Sequence, residues 1–87
     1  MKAFLLKVSS PEGDLFCGNV VQLSVRGTEG DLAVMAGHIP FVSCIKPCDC
    51  KIEFEDGNER IGRVGGGVLT VSNENVILLS GDFSWIS

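Results

Sequence analysis

The stretch CDCKIEFEDGNERIGRV, residues 48–64, decides the fold class. Cys48, Cys50, Ile52 and Phe54 alternate with Asp49, Lys51, Glu53 and Glu55. Successive side chains of a β-strand point to opposite faces, so this period of two predicts a half-buried strand. Asp56-Gly57-Asn58 then supplies a hairpin turn, because Gly and Asn accept a positive φ at little cost. Glu59 to Val64 returns as the partner strand.

The same grammar extends outward. In FLLKV (4–8), Phe4, Leu6 and Val8 share one face. SSPEGD (9–14) has the chemistry of a turn. In VVQLSVR (20–26), Val21, Leu23 and Val25 alternate with Gln22, Ser24 and Arg26. GGGVLTV (65–71), the SNEN turn (72–75) and VILLS (76–80) follow, and Phe83, Trp85 and Ile86 alternate in the tail. A Trp left fully exposed on so small a domain is unfavourable, so Trp85 is expected to fold back onto the sheet. Strands recurring every 8–12 residues or so predict an all-β flattened sandwich or small barrel. No window carries a helical stripe with caps.

The chain has 87 residues, 45% of them hydrophobic, which predicts a single domain over 1–87 with a thin core. Seven basic and eleven acidic residues give a net charge of −4. That balance excludes a nucleic-acid binder, whose phosphate contacts need a dense basic face. It equally argues against direct lipid insertion or a basic lipid-surface binder. The apolar start is broken by Lys7 and ends at Ser9-Ser10-Pro11, too short for a signal peptide. A soluble cytoplasmic protein with reduced thiols is expected, monomeric when isolated.

Cys44, Cys48 and Cys50 are spaced C-x3-C-x-C, and Cys17 or His38 could complete a tetrahedral metal set. Cys48 and Cys50 fall on the apolar face of their strand, where a reduced Cys behaves as a small hydrophobe. The expectation is therefore no metal and no cofactor. A free-standing cysteine-based metal or redox module is the alternative. His38 lacks a nucleophile frame such as G-x-S-x-G, so catalysis is not expected. Gly65-Gly66-Gly67 has neither a following Lys-Ser/Thr nor a helix, and reads as a bend or close backbone approach rather than a phosphate loop. A carbohydrate-binding sandwich would need exposed aromatics, and this chain has no Tyr and one Trp.

GTEGDLAVMAGHIPFVS (27–43) stands apart. It opens as a turn with Glu29 and Asp31, holds the only histidine, His38, and carries Leu32, Val34, Met35, Ile39, Phe41 and Val42. A solvated loop does not collect so many apolar side chains. An apolar patch beside a polar rim is the composition of a docking surface.

These residues also carry a resemblance. Phe16-Cys17-Gly18, Gly27 to Asp31, Gly37-His38-Ile39-Pro40, Ile45-Lys46-Pro47 and Gly66-Gly67-Val68-Leu69 occur in the order of the epsilon subunit of rotary F-type ATP synthases. The chain resembles that family's amino-terminal domain over nearly its whole length. It departs from the family at Met35-Ala36, where a residue and Pro are usual, at Gly65 for Ser and at Thr70 for Glu. The resemblance implies a flattened sandwich of about ten short strands. It implies a non-catalytic central-stalk subunit, linking gamma to the polar loops of the membrane c-ring and coupling ion flow to ATP synthesis. Glu29 and Asp31 would face the ring. Met35, His38 and Ile39 would lie at the gamma contact. The protein would sit peripherally at the cytoplasmic face of the cell membrane. The family's C-terminal helical pair is not found in this sequence, which ends in GDFSWIS.

Overall fold

Ten strands account for most of the chain: β1 (Phe4–Ser10), β2 (Gly13–Val20), β3 (Gln22–Gly27), β4 (Gly30–Met35), β5 (Phe41–Ile45), β6 (Cys48–Glu53), β7 (Glu59–Val64), β8 (Gly67–Val71), β9 (Asn75–Leu79) and β10 (Phe83–Trp85). The computed structural model describes residues 2–28, 30–37, 39–73 and 75–86. Among them there is no helix. The all-β reading, with about ten short strands, is thereby established.

The strands form one sheet in the order β10-β7-β6-β3-β5-β8-β9-β1-β2, with β4 on the remaining edge of β3. Neighbours are antiparallel except β1 and β9, which run parallel. The sheet curls because β3 changes partner along its length. Gln22, Leu23 and Ser24 pair with β6, whereas Gly27 pairs with Ile45 of β5. One half, β4-β3-β6-β7-β10, thus joins the other, β5-β8-β9-β1-β2, around a corner.

Backbone groups at that corner still find partners. The Arg26 N–H donates to Cys48 Sγ at 3.4 Å. The Lys46 N–H donates to the Arg26 carbonyl at 3.2 Å, and the Thr28 N–H to the Cys44 carbonyl at 3.2 Å. The Cys48 thiol therefore stands in for a strand partner where none can reach.

Period-two patterning places the core between the two halves. Leu6, Val8, Val20, Leu23, Cys50, Ile52, Val64, Leu69, Val76 and Leu78 are fully enclosed. The expected inward faces hold: Phe4, Leu6 and Val8; Val21, Leu23 and Val25; Cys48, Cys50 and Ile52 are all buried. Phe54 lies just past β6 and is only half-buried, because the chain turns there. In that turn Gly57 takes a φ of 90°, and its N–H donates to the Phe54 carbonyl at 3.1 Å.

The triple glycine does what a close backbone approach requires. Gly66 takes a φ of 107°. A Cβ on Gly67 would collide with the Leu79 carbonyl, and one on Gly65 would strike the Asp82 side chain at 2.6 Å. Buried Ser80 locks these turns together: its Oγ donates to the Gly66 carbonyl at 2.7 Å and accepts from the Asp82 N–H at 3.2 Å.

Trp85 does fold back. Its ring meets Phe83 with centroids 5.0 Å apart and Phe16 at 5.9 Å, and the Arg60 guanidinium lies 3.6 Å above it.

Candidate interaction surfaces

The apolar run in 27–43 resolves into two strands and a link rather than a loop. β3 and β4 pair over six unbroken positions, from Gln22↔Met35 to Gly27↔Gly30. Leu32 and Val34 turn towards the core, so half of the run is ordinary burial. The remainder is exposed: Met35, Ile39 and Val42 stand out, with Ile39 81% and Val42 68% accessible. Ala36 packs against the core from the link.

Asp31 lies near the β3–β4 turn and is 79% exposed at its side chain. Its carboxylate accepts a hydrogen bond from Arg26 Nε at 2.9 Å. Part of its negative field is therefore neutralised at source, which the sequence pattern alone did not reveal. Asp31 and Met35 project from the same side of β4, but four residues of strand separate them by about 14 Å. The acid and the apolar candidates thus occupy two places, not one. Glu29 and His38 lie outside the described residues.

Register exposes a further surface that the sequence reading missed. Cys44 pairs with Val68, and Val68 with Leu79; Val42 pairs with Thr70, and Thr70 with Ile77. Across β9, Lys7 and Ser9 of β1 stand opposite Ile77 and Leu79, and Leu5 stands opposite Asn75 at the far end; Leu5, Val68 and Leu79 are all exposed. The outer face of β5-β8-β9 is therefore largely apolar, continuing from Val42, and is bounded by Lys7 and Ser9 of β1. The signal was present in VILLS and FLLKV, where apolar residues occupy both parities. Such runs mark strands with two apolar faces.

The outer face of the other half is charged instead. Lys51 Nζ lies 2.6 Å from Glu59 and 3.6 Å from Glu53, and Arg63 lies 3.0 Å from Asp49. The hydrogen bond to Glu59, then the charge of that carboxylate, raises the Lys51 pKa. A groove of about 700 Å³ between Arg26, Asp31, Asp49, Lys51 and Arg63 carries three cations, each already held by an acid. It is a poor cradle for phosphate.

The cysteines divide between environments. Cys48 and Cys50 are buried, whereas Cys17 and Cys44 are exposed. Burial, reinforced by the neighbouring Cys48 thiol, pushes the Cys50 thiol up to about 12, far from nucleophilic. The C-x3-C-x-C set is split by the bend at Lys46-Pro47, and among the described residues no three potential metal ligands converge. Nor is any described helix long and apolar enough to cross a membrane.

The family model of the ATP synthase delta/epsilon chain beta-sandwich domain matches residues 3–86. A chain in the cryo-EM structure of Euglena gracilis mitochondrial ATP synthase, OSCP/F1/c-ring in rotational state 1, is similar with a TM-score of 0.90 at 21% identity. This chain is covered over 95% of its length and that one over 53%. A chain in the Tetrahymena thermophila mitochondrial ATP synthase central stalk/c-ring structure gives a TM-score of 0.78 at 13% identity, covering 94% of this chain and 66% of that one. At these identities the likeness establishes the fold. The chain spans about half to two-thirds of the length of these two relatives.

Proposed function

We propose a function from one premise: the chain belongs to the ATP synthase delta/epsilon beta-sandwich family, whose model matches nearly all of it. It is a rotor-stalk subunit, joining the gamma subunit to the membrane c-ring and holding the two in fixed relation, so that ion flow through the ring is coupled to ATP synthesis. It carries out no chemistry of its own. It is held at the membrane peripherally, through the complex, at the cytoplasmic face.

The single observation that carries this reading is the family match over residues 3–86. Two features support its division of labour. Met35 and Ile39 are exposed apolar side chains, and the apolar outer face begins beside them at Val42. Gamma covers this side, with Met35, His38 and Ile39 at the contact. Asp31, at the opposite end of β4, meets the polar loops of the ring, and Glu29 is assigned to the same contact. Exposed charge at such a rim raises association rates more than affinity.

The test is reconstitution. The purified chain should bind the gamma subunit of its own organism, and adding it should restore ion-driven ATP synthesis to a complex depleted of it. A chain that binds neither gamma nor the gamma–c-ring assembly would refute the stalk reading.

A further inference from the structure

The corner carries a side chain that does more than fill the core. The β3–β6 ladder ends at Ser24↔Lys51, while β6 stays paired with β7 as far as Cys48↔Val64. Continued in register, the first ladder would set Arg26 against Asp49, but it stops short of that pair. A buried backbone N–H or C=O that loses its strand neighbour still needs a partner. Cys48 reaches both groups of Arg26. Its Sγ accepts from the Arg26 N–H at 3.4 Å, and its S–H donates to the Arg26 carbonyl at 3.9 Å. The Lys46 N–H donates to that same carbonyl at 3.2 Å. Cys48 is 7% exposed, so water has little room to take over its part.

A thiol suits this position on two counts. It is buried as readily as a small hydrophobe, and it still offers a weak donor and a weak acceptor. Alanine offers neither and leaves the Arg26 N–H enclosed without a partner, which is costly for a buried donor. The effect reaches the outer face through Arg26. Successive side chains alternate, so holding the Arg26 backbone extended sends its side chain outward. There Arg26 stands directly across from Asp31 and donates to its carboxylate through Nε at 2.9 Å. Both side chains are largely exposed, so neither is held in place by burial. What fixes the pair is the backbone beneath it.

We propose that Cys48 is the positioning residue of the Arg26–Asp31 pair: its thiol, bonded to the Arg26 backbone from the core side, sets how charge is displayed at the β3–β4 turn. Cys48 does not touch Asp31 itself and acts only through Arg26. The bearing of this on the ring contact assigned to Asp31 rests on the stalk reading above.

The test compares Cys48→Ala, which removes donor and acceptor without adding bulk, with Cys48→Ser, which keeps both. Amide hydrogen exchange followed by NMR reads the corner. In the parent the Arg26 amide should be protected although its acceptor is a sulfur; rapid exchange there would overturn the proposal without any variant. In Cys48→Ala that amide should exchange about tenfold faster relative to the Leu23 and Ile52 amides, and in Cys48→Ser it should stay within about threefold of the parent. A general loss of stability would speed all three amides alike. The Arg26 Nε–H resonance reads the ion pair: its exchange with water should quicken in Cys48→Ala and be restored in Cys48→Ser. Asp31→Asn fixes the direction of the effect, since it should quicken the Nε–H and leave the Arg26 amide protected. Even loss of protection across the three amides in Cys48→Ala, an unmoved Nε–H there, no recovery in Cys48→Ser, or an Arg26 amide released by Asp31→Asn would each overturn the proposal. None of these measurements needs a partner, so a parent chain that fails to bind the gamma–c-ring assembly would overturn the stalk reading alone.

Discussion

Phe16 and Trp85 meet edge to face, with ring centroids 5.9 Å apart and planes at 73°. Phe16 belongs to β2 and Trp85 to β10, the two outermost strands of the sheet order. No hydrogen-bond ladder joins those strands, so the curled sheet is closed there by side chains. Phe54 adds a second edge-to-face contact to Phe16 at 5.9 Å, and Arg60 caps the Trp85 ring.

This closure makes Trp85→Ala costly despite the partial exposure of the ring. Loss of about 2–4 kcal/mol is expected, somewhat below full burial because solvent already touches the indole. Trp85→Phe should recover most of it. Urea unfolding followed by circular dichroism measures both variants; an alanine variant within about 0.5 kcal/mol of the parent would show that the seam is held elsewhere.

Cys50 links stability to alkaline pH. Its folded thiol is held at about 12 against an ordinary 9.0, chiefly by burial. Above pH 9 the unfolded chain releases this proton while the folded chain retains it, so the unfolded state gains. Stability is therefore complete below pH 9 and declines between pH 9 and 12. Cys50→Ala should lose about 1–2 kcal/mol at neutral pH through lost packing, yet flatten the alkaline limb. Identical alkaline limbs in parent and variant would assign the decline to other groups.

The two thiol pairs should separate by reactivity. Cys17 and Cys44 are exposed and should react with a thiol reagent in the native state, whereas Cys48 and Cys50 should react only on unfolding. Rapid native modification of four thiols would contradict the buried placement.

Glycine position decides tolerance. Gly67→Ala would push a Cβ into the Leu79 carbonyl, while Gly81 has open space around its Cα. Gly67→Ala should cost about 2–4 kcal/mol by forcing backbone apart. Gly81→Ala should stay within about 0.5 kcal/mol of the parent. Thermal melts of the two proteins, prepared side by side, give the comparison.

Asp31→Lys places a second cation beside Arg26 and breaks their 2.9 Å pair. Both side chains are largely exposed, so stability should change by less than about 1 kcal/mol. Assembly with the c-ring should slow and its salt dependence change, as expected when a steering charge is reversed. Unchanged assembly rates at low salt would remove Asp31 from the ring contact.

The sequence by itself determined the local grammar. Alternation in 48–54, 4–8 and 21–25 placed the right side chains inward, because a pleated strand permits only two faces. Glycine at 57 and 66 marked turns, where the backbone takes a positive φ, and glycine at 67 the close approach, where a Cβ would meet the Leu79 carbonyl. Aromatic residues near the end foretold the folded-back tail. The tertiary structure decided the rest, because alternation does not say which face is covered or which edge is paired. It left the outer faces that carry Leu5, Val68 and Leu79 exposed. It tied Asp31 to Arg26, a contact fixed by the β3–β4 register. It also turned the backbone of β3 at Arg26 to Cys48 and Lys46, about twenty residues away in the chain, because β3 changes partner there.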